Sequence, residues 1–171
     1  MRAREDHGFT LIELLIVVAI IAILTALATA GLMRSRVAAN ETSAIAGIRV
    51  TSSSQKAYAV SCGFGAYATS YTVLGTAVGG TSSYISSDLG GALSPIKSGF
   101  QFNLTAGAGA TAGPPDCIGR PTITAFYATA VPLSVWSGSR SFAINGNGVV
   151  WQLNGATAPT EPFGAPARPI Q

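Results

Sequence analysis

The sequence predicts an α+β fold, in which a long N-terminal α-helix packs against a three- to four-stranded antiparallel sheet. The first observation is an apolar run of 25 residues, Phe9–Met33, that contains a single charge. The second is a weaker helical pattern that continues toward Val60. The third is alternation with a period of two from Phe100 onward, which is typical of half-buried strands.

The apolar run is long enough to cross a membrane as a helix. Its residues would rise about 37 Å, and the hydrocarbon core of a bilayer is about 30 Å thick. The run is apolar on every face, and a backbone in lipid must satisfy its own hydrogen bonds, which favours helix over strand. Arg2 and Arg4 precede the run and Arg34 and Arg36 follow it, so the positive-inside rule does not set its orientation.

Glu13 is the charge inside the run. Thr10 and Glu13 have the spacing of a capping box at a helix start. A carboxylate that leaves lipid and packs among other helices must be paired or protonated, so Glu13 also predicts a cationic partner. If the chain is cut after Gly8, the new α-amine of Phe9 supplies such a cation, within one chain or between chains.

A secretory signal peptide is an alternative interpretation of the same run. Arg2 and Arg4 would form its basic region and residues 28–30 its cleavage site, which would leave a soluble exported domain. Against this, the apolar region of a signal peptide usually has about 7–15 residues. The run here is longer and carries a carboxylate.

Beyond the run we distinguish three segments. Residues 34–62 continue the helix with an amphipathic stripe rich in small residues, and Cys62 and the glycines after it end the helix. Residues 63–153 form a head that begins with a long irregular loop, which contains a short strand or helix near residues 84–93. Residues 154–171 form a Pro-rich, extended tail that lies on the head or is partly free.

Four strands are expected after the loop, at residues 100–105, 122–131, 139–144 and 149–153. Asn and Gly at residues 145–148 are a strong hairpin signal between the last two strands. We expect the apolar face of this sheet to pack on the second half of the helix. The residues predicted on that face are Phe100, Phe102, Phe142, Ile144 and Trp151.

The chain has two cysteines, Cys62 and Cys117. If the chain beyond the run is exported, an oxidising compartment predicts a disulfide between them, worth about 4 kcal/mol in the chain-entropy model. The alternative is two free thiols in a cytosolic protein, which the membrane run disfavours.

Residues 8–18, Gly-Phe-Thr-Leu-Ile-Glu-Leu-Leu-Ile-Val-Val, resemble the N-terminal signature of type IV pilins and type II secretion pseudopilins. The resemblance implies that a prepilin peptidase cuts between Gly8 and Phe9 on the cytoplasmic face and then N-methylates Phe9. It also implies that Glu13 pairs with the N-terminus of a neighbouring subunit and sets register during assembly. Many members of the family have a proline where this chain has Ala30.

The remaining charged residues predict no enzyme and no cofactor. His7 lies in the leader, residues 1–8, and the carboxylates beyond the run form no pair suited to acid–base catalysis. Some pseudopilins bind calcium in this part of the chain, which makes Asp88 and Asp116 candidates for a Ca²⁺ site, although solvated loop charges are the simpler interpretation. The basic residues are scattered over a chain of net charge +3, so no specific nucleic-acid partner is predicted.

The leading hypothesis is a structural subunit of a type IV pilus-like filament. It would be held in the bacterial inner membrane by residues 9–33 and then assembled, as a helical homopolymer, into a periplasmic or extracellular filament. Its partners would be further copies of itself, the prepilin peptidase, and the pilus or secretion assembly machinery. The alternatives are a pseudopilin of a type II secretion system and, from another class, a membrane-anchored or secreted binding module that does not polymerise.

Overall fold

The computed structural model describes residues 8–80 and 82–170, without the side chains of residues 29 and 30. Of the predicted leader, only Gly8 falls in this part of the chain, and residues 1–7 lie outside it. The chain divides into two compact units, Met1–Arg36 and Val37–Gln171.

The first unit contains the start of the helix α1 (Leu11–Ser61). Thr10 caps this helix, because its Oγ1 accepts a hydrogen bond from the backbone N–H of Glu13 at 3.2 Å. Every large apolar side chain described from Phe9 to Met33 is exposed. Among the described residues, α1 is the one helix long and apolar enough to cross a membrane, with a mean hydropathy of 2.9 over its most apolar window.

The second unit contains the sheet, which confirms the α+β class but has more strands than predicted. Six antiparallel strands follow one another in the order β2-β3-β5-β6-β7-β8, and β1 pairs with β4 separately. The bounds are β1 (Tyr67–Ala68), β2 (Ile96–Lys97), β3 (Phe100–Ala106), β4 (Thr122–Ile123), β5 (Phe126–Pro132), β6 (Arg140–Asn145), β7 (Trp151–Asn154) and β8 (Arg168–Pro169). The strand predicted at 122–131 is thus two strands in two sheets.

The inner face of the sheet packs on the second half of α1. Phe102 pairs across to Ala130, and Ala130 pairs to Phe142, so all three point to this face and all three are fully buried. The α1 residues buried in the second unit recur at helical spacing. They are Glu41, Ala44, Gly47, Ile48, Thr51, Ser52, Ser54, Gln55, Tyr58 and Ala59.

The prediction for Trp151 was wrong. Trp151 pairs with Ala143, one residue out of step with Phe142, so it lies on the outer face of the sheet. There it is half-buried, and its ring stacks on Phe163 with 5.3 Å between centroids. The pairing register between β6 and β7 decides this, since a register that differed by one residue would have placed Trp151 on the face of Phe142.

The C-terminal segment covers the outer face. Tyr127 donates its hydroxyl hydrogen to the Pro159 carbonyl, and Ser141 donates to the Thr157 carbonyl. Glu161 accepts hydrogen bonds from Asn145 Nδ2 at 2.6 Å and from the backbone N–H of Ala108 at 2.7 Å. Of the two arrangements expected for this segment, the structure shows the one in which it lies on the head, and the segment also contains β8.

Polar side chains of α1 fix the loop that was expected to be irregular. Gln55 donates to the Ala68 carbonyl at 2.9 Å and accepts from the Ala68 N–H at 2.8 Å, as a neighbouring strand would. Thr51 Oγ1 lies 3.0 Å from the hydroxyl of Tyr71, which is the first residue of a short helix, α2 (Tyr71–Gly75). A second short helix, α3 (Ser87–Gly90), falls within the range where a short element was expected.

A buried ion pair joins α1 to the start of β6. Glu41 Oε1 accepts hydrogen bonds from the backbone N–H and the hydroxyl of Ser139, both at 2.8 Å. Glu41 Oε2 accepts from Arg140 Nε at 2.9 Å and Nη2 at 2.5 Å. Burial acts to raise the pKa of the Glu41 carboxyl, but these donors outweigh it and hold the pKa below its usual value.

Gly47 provides a test of the helix–sheet contact. A Cβ at this position would lie 2.8 Å from Cε1 of the Phe102 ring. We expect Gly47→Ala to destabilise the protein by about 1–3 kcal/mol through overpacking, although alanine is the better helix former by about 1 kcal/mol. Urea unfolding of the full chain in detergent micelles measures this.

Gly31→Ala is the matched control, because a Cβ there would have no atom within 4 Å. It adds the same methyl group to the same helix and should leave the unfolding curve unchanged or shift it to higher urea. Equal stabilisation by the two substitutions would contradict the close contact at Phe102.

Candidate functional site at the N-terminal segment

The N-terminal segment, residues 8–13, is open to its surroundings. A Cβ at Gly8 would have no atom within 4 Å, and the Phe9 side chain is 81% exposed. Helix α1 begins two residues after Phe9, so the Gly8–Phe9 peptide bond precedes the helix. A protease can bind such a bond in extended form without first unwinding a helix.

The Glu13 carboxylate lies in the first turn of α1 and is exposed. The ion pairs within residues 8–80 and 82–170 are Lys97–Asp88, Arg120–Asp116 and Arg140–Glu41, so Glu13 has no basic partner there. A negative charge in the first helical turn is favourable for the helix dipole. The carboxylate is thus compatible with the helix and available to a cation from elsewhere.

The two cysteines form the expected disulfide. Cys62 immediately follows α1, and its Cα lies 4.9 Å from that of Cys117. The backbone N–H of Cys117 also donates to the Cys62 carbonyl at 2.9 Å. The bridge therefore ties the end of α1 to the loop before β4.

Asp116, one of the two calcium candidates, is fully used by protein donors. Its Oδ1 accepts from the N–H groups of Ile118 and Arg120, and its Oδ2 accepts from the Tyr58 hydroxyl at 2.8 Å and from Arg120 Nε at 2.7 Å. Burial acts to raise the pKa of Asp116, but the donors from Arg120, Tyr58 and Ile118 outweigh it and lower the pKa to about 2. Such a carboxylate has no oxygen lone pair left for a cation.

Asp88, the other candidate, has separate partners. It forms an ion pair with Lys97 at 2.6 Å and accepts a hydrogen bond from the Ser86 hydroxyl. Within the described part of the chain, no three His, Cys, Asp or Glu side chains come together in a way that could hold a metal ion. The structure thus gives each aspartate a structural role and does not bring the two to one site.

Residues 4–29 match the family model of the prokaryotic N-terminal methylation motif. This motif is the signature of type IV pilins and pseudopilins, so the sequence resemblance is confirmed over this segment. The motif implies processing by a prepilin peptidase, and together with the apolar helix it fits membrane anchoring before assembly. Neither a curated protein nor a solved structure gives a significant match to the chain.

The structural roles of the two buried carboxylates, Glu41 and Asp116, were not predicted from the sequence. Glu41 lies three residues before Ala44 and seven before Ile48, so helical spacing alone places it on the buried stripe. Arg140 lies two residues before Phe142 in the same strand, so alternation places both side chains on one face of the sheet. This placement could have identified Arg140 as the partner of Glu41. Asp116 left no comparable signal, because its donors come from a loop and from Tyr58.

The hydrogen bonds and the ion pair of Asp116 predict that the free energy of unfolding falls at low pH. Because the pKa of Asp116 is depressed in the folded state, its contribution is present above about pH 4 and is lost as the pH falls toward 2. A lowering of the pKa by about two units corresponds to about 2–3 kcal/mol. We expect Asp116→Asn to be less stable by this order at pH 7 and to respond less to pH between 4 and 2, as measured by urea unfolding.

Asp88→Asn is the matched control, because Asp88 also pairs with a basic side chain, that of Lys97, but is exposed. Exposed pairs contribute about 0–1 kcal/mol, so this variant should unfold close to the wild type. A wild-type unfolding curve for Asp116→Asn at pH 7 would contradict the structural role of Asp116.

Proposed function

We propose that the chain is a structural subunit of a type IV pilus-like filament. The prepilin peptidase cleaves it between Gly8 and Phe9 and methylates the new amino terminus. Residues 9–33 hold it in the inner membrane, with the head, residues 63–153, on the far side of the bilayer. Assembly then moves the apolar helix from lipid into a bundle of identical helices.

The observation that carries the proposal is the match to the methylation motif at a helix whose described apolar side chains are all exposed. An apolar surface of this size is not stable in water and requires lipid or other helices around it. A plain anchor accounts for the apolar residues alone. It accounts neither for the motif nor for a carboxylate in the first turn.

Glu13 supplies the specificity of assembly in this proposal. A carboxylate that moves into a packed helix bundle is strongly unfavourable unless a cation meets it. The α-amine of Phe9 on a neighbouring subunit is a cation that exists only after cleavage. Processing and assembly are then linked, because an uncleaved chain lacks the charge that Glu13 requires.

The same cleavage site, apolar helix and Glu13 would serve a pseudopilin of a type II secretion system. The two assignments differ in what the filament does. A pilus extends from the cell surface, and a secretion pseudopilus acts in the periplasm to move folded proteins outward. We favour the pilus-like filament and use the experiments below to separate it from the pseudopilus and from a module that does not polymerise.

Mass spectrometry of the mature N-terminus tests the processing step. We expect a chain that begins with N-methylated Phe9, and we expect a Gly8→Val variant to retain Met1, because a side chain at the cleavage position obstructs the peptidase. A start at Gly31 would show signal-peptide cleavage instead. A retained Met1 in the wild type would leave a plain anchor and overturn the proposal.

Glu13→Ala tests the assembly step. We expect the variant to insert in the membrane as well as the wild type or better, since it removes a charge from the run. We expect filaments sheared from the cell surface to be lost or strongly reduced, which electron microscopy and immunoblotting of the sheared fraction measure. Glu13→Asp keeps the charge and should retain part of the assembly.

Two outcomes would redirect this assignment. Normal filaments from Glu13→Ala cells would refute the role of Glu13. If neither the wild type nor the variant makes surface filaments, and the variant instead loses secretion of folded proteins, the chain is a secretion pseudopilin.

A further inference from the structure

A small cleft opens on the surface of the second unit, between α1 and the turn that joins β6 to β7. Its volume is about 240 Å³. A water molecule in the liquid occupies about 30 Å³, so the cleft has room for one small ionic group with part of its hydration shell. We call it the basic cleft, and its lining residues are Arg49, Ser52, Ser53, Lys56, Ile144 and Gly148.

The basic cleft carries two positive charges that no acidic side chain neutralises. Arg49 and Lys56 are both exposed, and neither forms an ion pair within residues 8–80 and 82–170. The acidic side chains of the second unit have partners outside the cleft, and these side chains are Glu41, Asp88, Asp116 and Glu161. The field inside the cleft therefore attracts an anion.

Ser52 offers the cleft a hydrogen-bond donor that the fold does not use. The residue is only 6% exposed, yet its hydroxyl makes no hydrogen bond to any residue that the structure describes. A helical serine often bonds back to the carbonyl four residues earlier, as Ser53 does to Arg49 at 2.8 Å. Because a buried hydroxyl without a partner is unfavourable, Ser52 indicates an acceptor inside the cleft.

The helix and the turn arrange these groups around one position. Arg49, Ser52 and Lys56 are three and four residues apart on α1, so they share one face, with Ser52 between two cations whose Cα atoms lie about 10 Å apart. Gly148 leaves space for the Lys56 ammonium, because a Cβ there would lie 3.3 Å from Nζ. The buried Ile144 side chain contributes an apolar wall, beside which charges interact more strongly than in open water.

We propose that the basic cleft binds a tetrahedral oxyanion, a phosphate or sulfate group with two negative charges. Arg49 and Lys56 together match that charge, and arginine and lysine are common ligands of such groups. The Ser52 hydroxyl donates to a further oxygen, which a tetrahedral group has and a carboxylate held by both cations lacks. The site lies entirely within the second unit, so it does not depend on the proposed function.

Isothermal titration calorimetry of the full chain in non-ionic detergent micelles tests this inference. The probes are sodium sulfate, glycerol 3-phosphate and sodium acetate, at an ionic strength held constant with sodium chloride. We expect saturable binding of one sulfate or one glycerol 3-phosphate per chain, and clearly weaker binding of acetate. Equal affinity for sulfate and glycerol 3-phosphate would assign recognition to the oxyanion alone, and preference for glycerol 3-phosphate would assign it to a phosphate ester. Acetate bound as tightly as sulfate, or no binding of any probe, would overturn the proposal.

Two neighbouring serines provide a matched pair of variants. Ser52→Ala removes the free donor and should weaken sulfate binding about tenfold, since it takes a hydrogen bond from a charged group. Ser53→Ala removes a hydroxyl that lines the same cleft but already donates to Arg49, so the affinity should stay unchanged. Neither serine hydroxyl bonds across to the sheet, and urea unfolding should show both variants folded. Equal affinities of the two variants would refute the role of Ser52.

A second pair of variants separates the site from general attraction to a basic protein. Lys56→Gln should weaken sulfate binding at least as much as Ser52→Ala. Lys97→Gln removes the same charge from the same unit but outside the cleft, where Lys97 pairs with Asp88, and should bind as the wild type does. Equal loss in both would overturn the site. Arg49→Gln repeats the test if Lys56→Gln does not fold.

A short single-stranded DNA oligomer distinguishes an isolated oxyanion from a nucleic-acid backbone. Two cations neutralise at most two phosphates, so the slope of log affinity against log salt should not exceed about 1.4 in magnitude. A steeper slope, with affinity far above that for glycerol 3-phosphate, would show a nucleic acid as the occupant and overturn the proposal. Filament assembly by the Ser52→Ala and Lys56→Gln variants, measured as above, should be normal, so failure of the site and failure of the proposed function are distinguishable.

Discussion

Glu41 introduces a negative charge into the contact between α1 and the sheet, where a charge is unfavourable unless fully paired. Its two oxygens accept from Ser139 and Arg140, at the point where β6 begins. Because β6 lies between β5 and β7, this one contact sets how the whole six-stranded sheet lies along the helix. The pairing of one carboxylate with one guanidinium favours a single register of the helix on the sheet, in agreement with the close fit of Gly47 to the Phe102 ring.

Much of the head could be predicted from local sequence, and the errors have a common physical origin. Alternation correctly placed Phe100, Phe102, Phe142 and Ile144 on one face, because each lies within an unbroken strand. Trp151 was misplaced because the Asn and Gly residues before it indicate a hairpin but do not fix its pairing register, and one residue of shift exchanges the two faces. The strand β8 in the C-terminal segment was not predicted, because prolines and glycines give no periodic signal.

The candidate site at residues 8–13 differs from the head in how much of it the sequence predicts. The predictions for Gly8, Phe9 and Glu13 rest on neighbouring residues in one short motif, so the sequence contains nearly all the information about them. The fold of a single chain adds only the cap at Thr10 and the exposure of the segment, because the partner of Glu13 would belong to another molecule. Asp116 shows the reverse case, since only the tertiary contacts with Tyr58 and Arg120 revealed that its oxygens are occupied.

The two outer strands of the sheet, β2 and β8, are each two residues long, and each carries a basic residue, Lys97 or Arg168. Pro169 removes a backbone donor from one edge as well. Short, charged edges of this kind resist the strand-to-strand pairing that leads to amyloid-like aggregation. Heads crowded together at high local concentration therefore have no ready way to join their sheets, and any ordered contact among copies is left to the helices and to side chains.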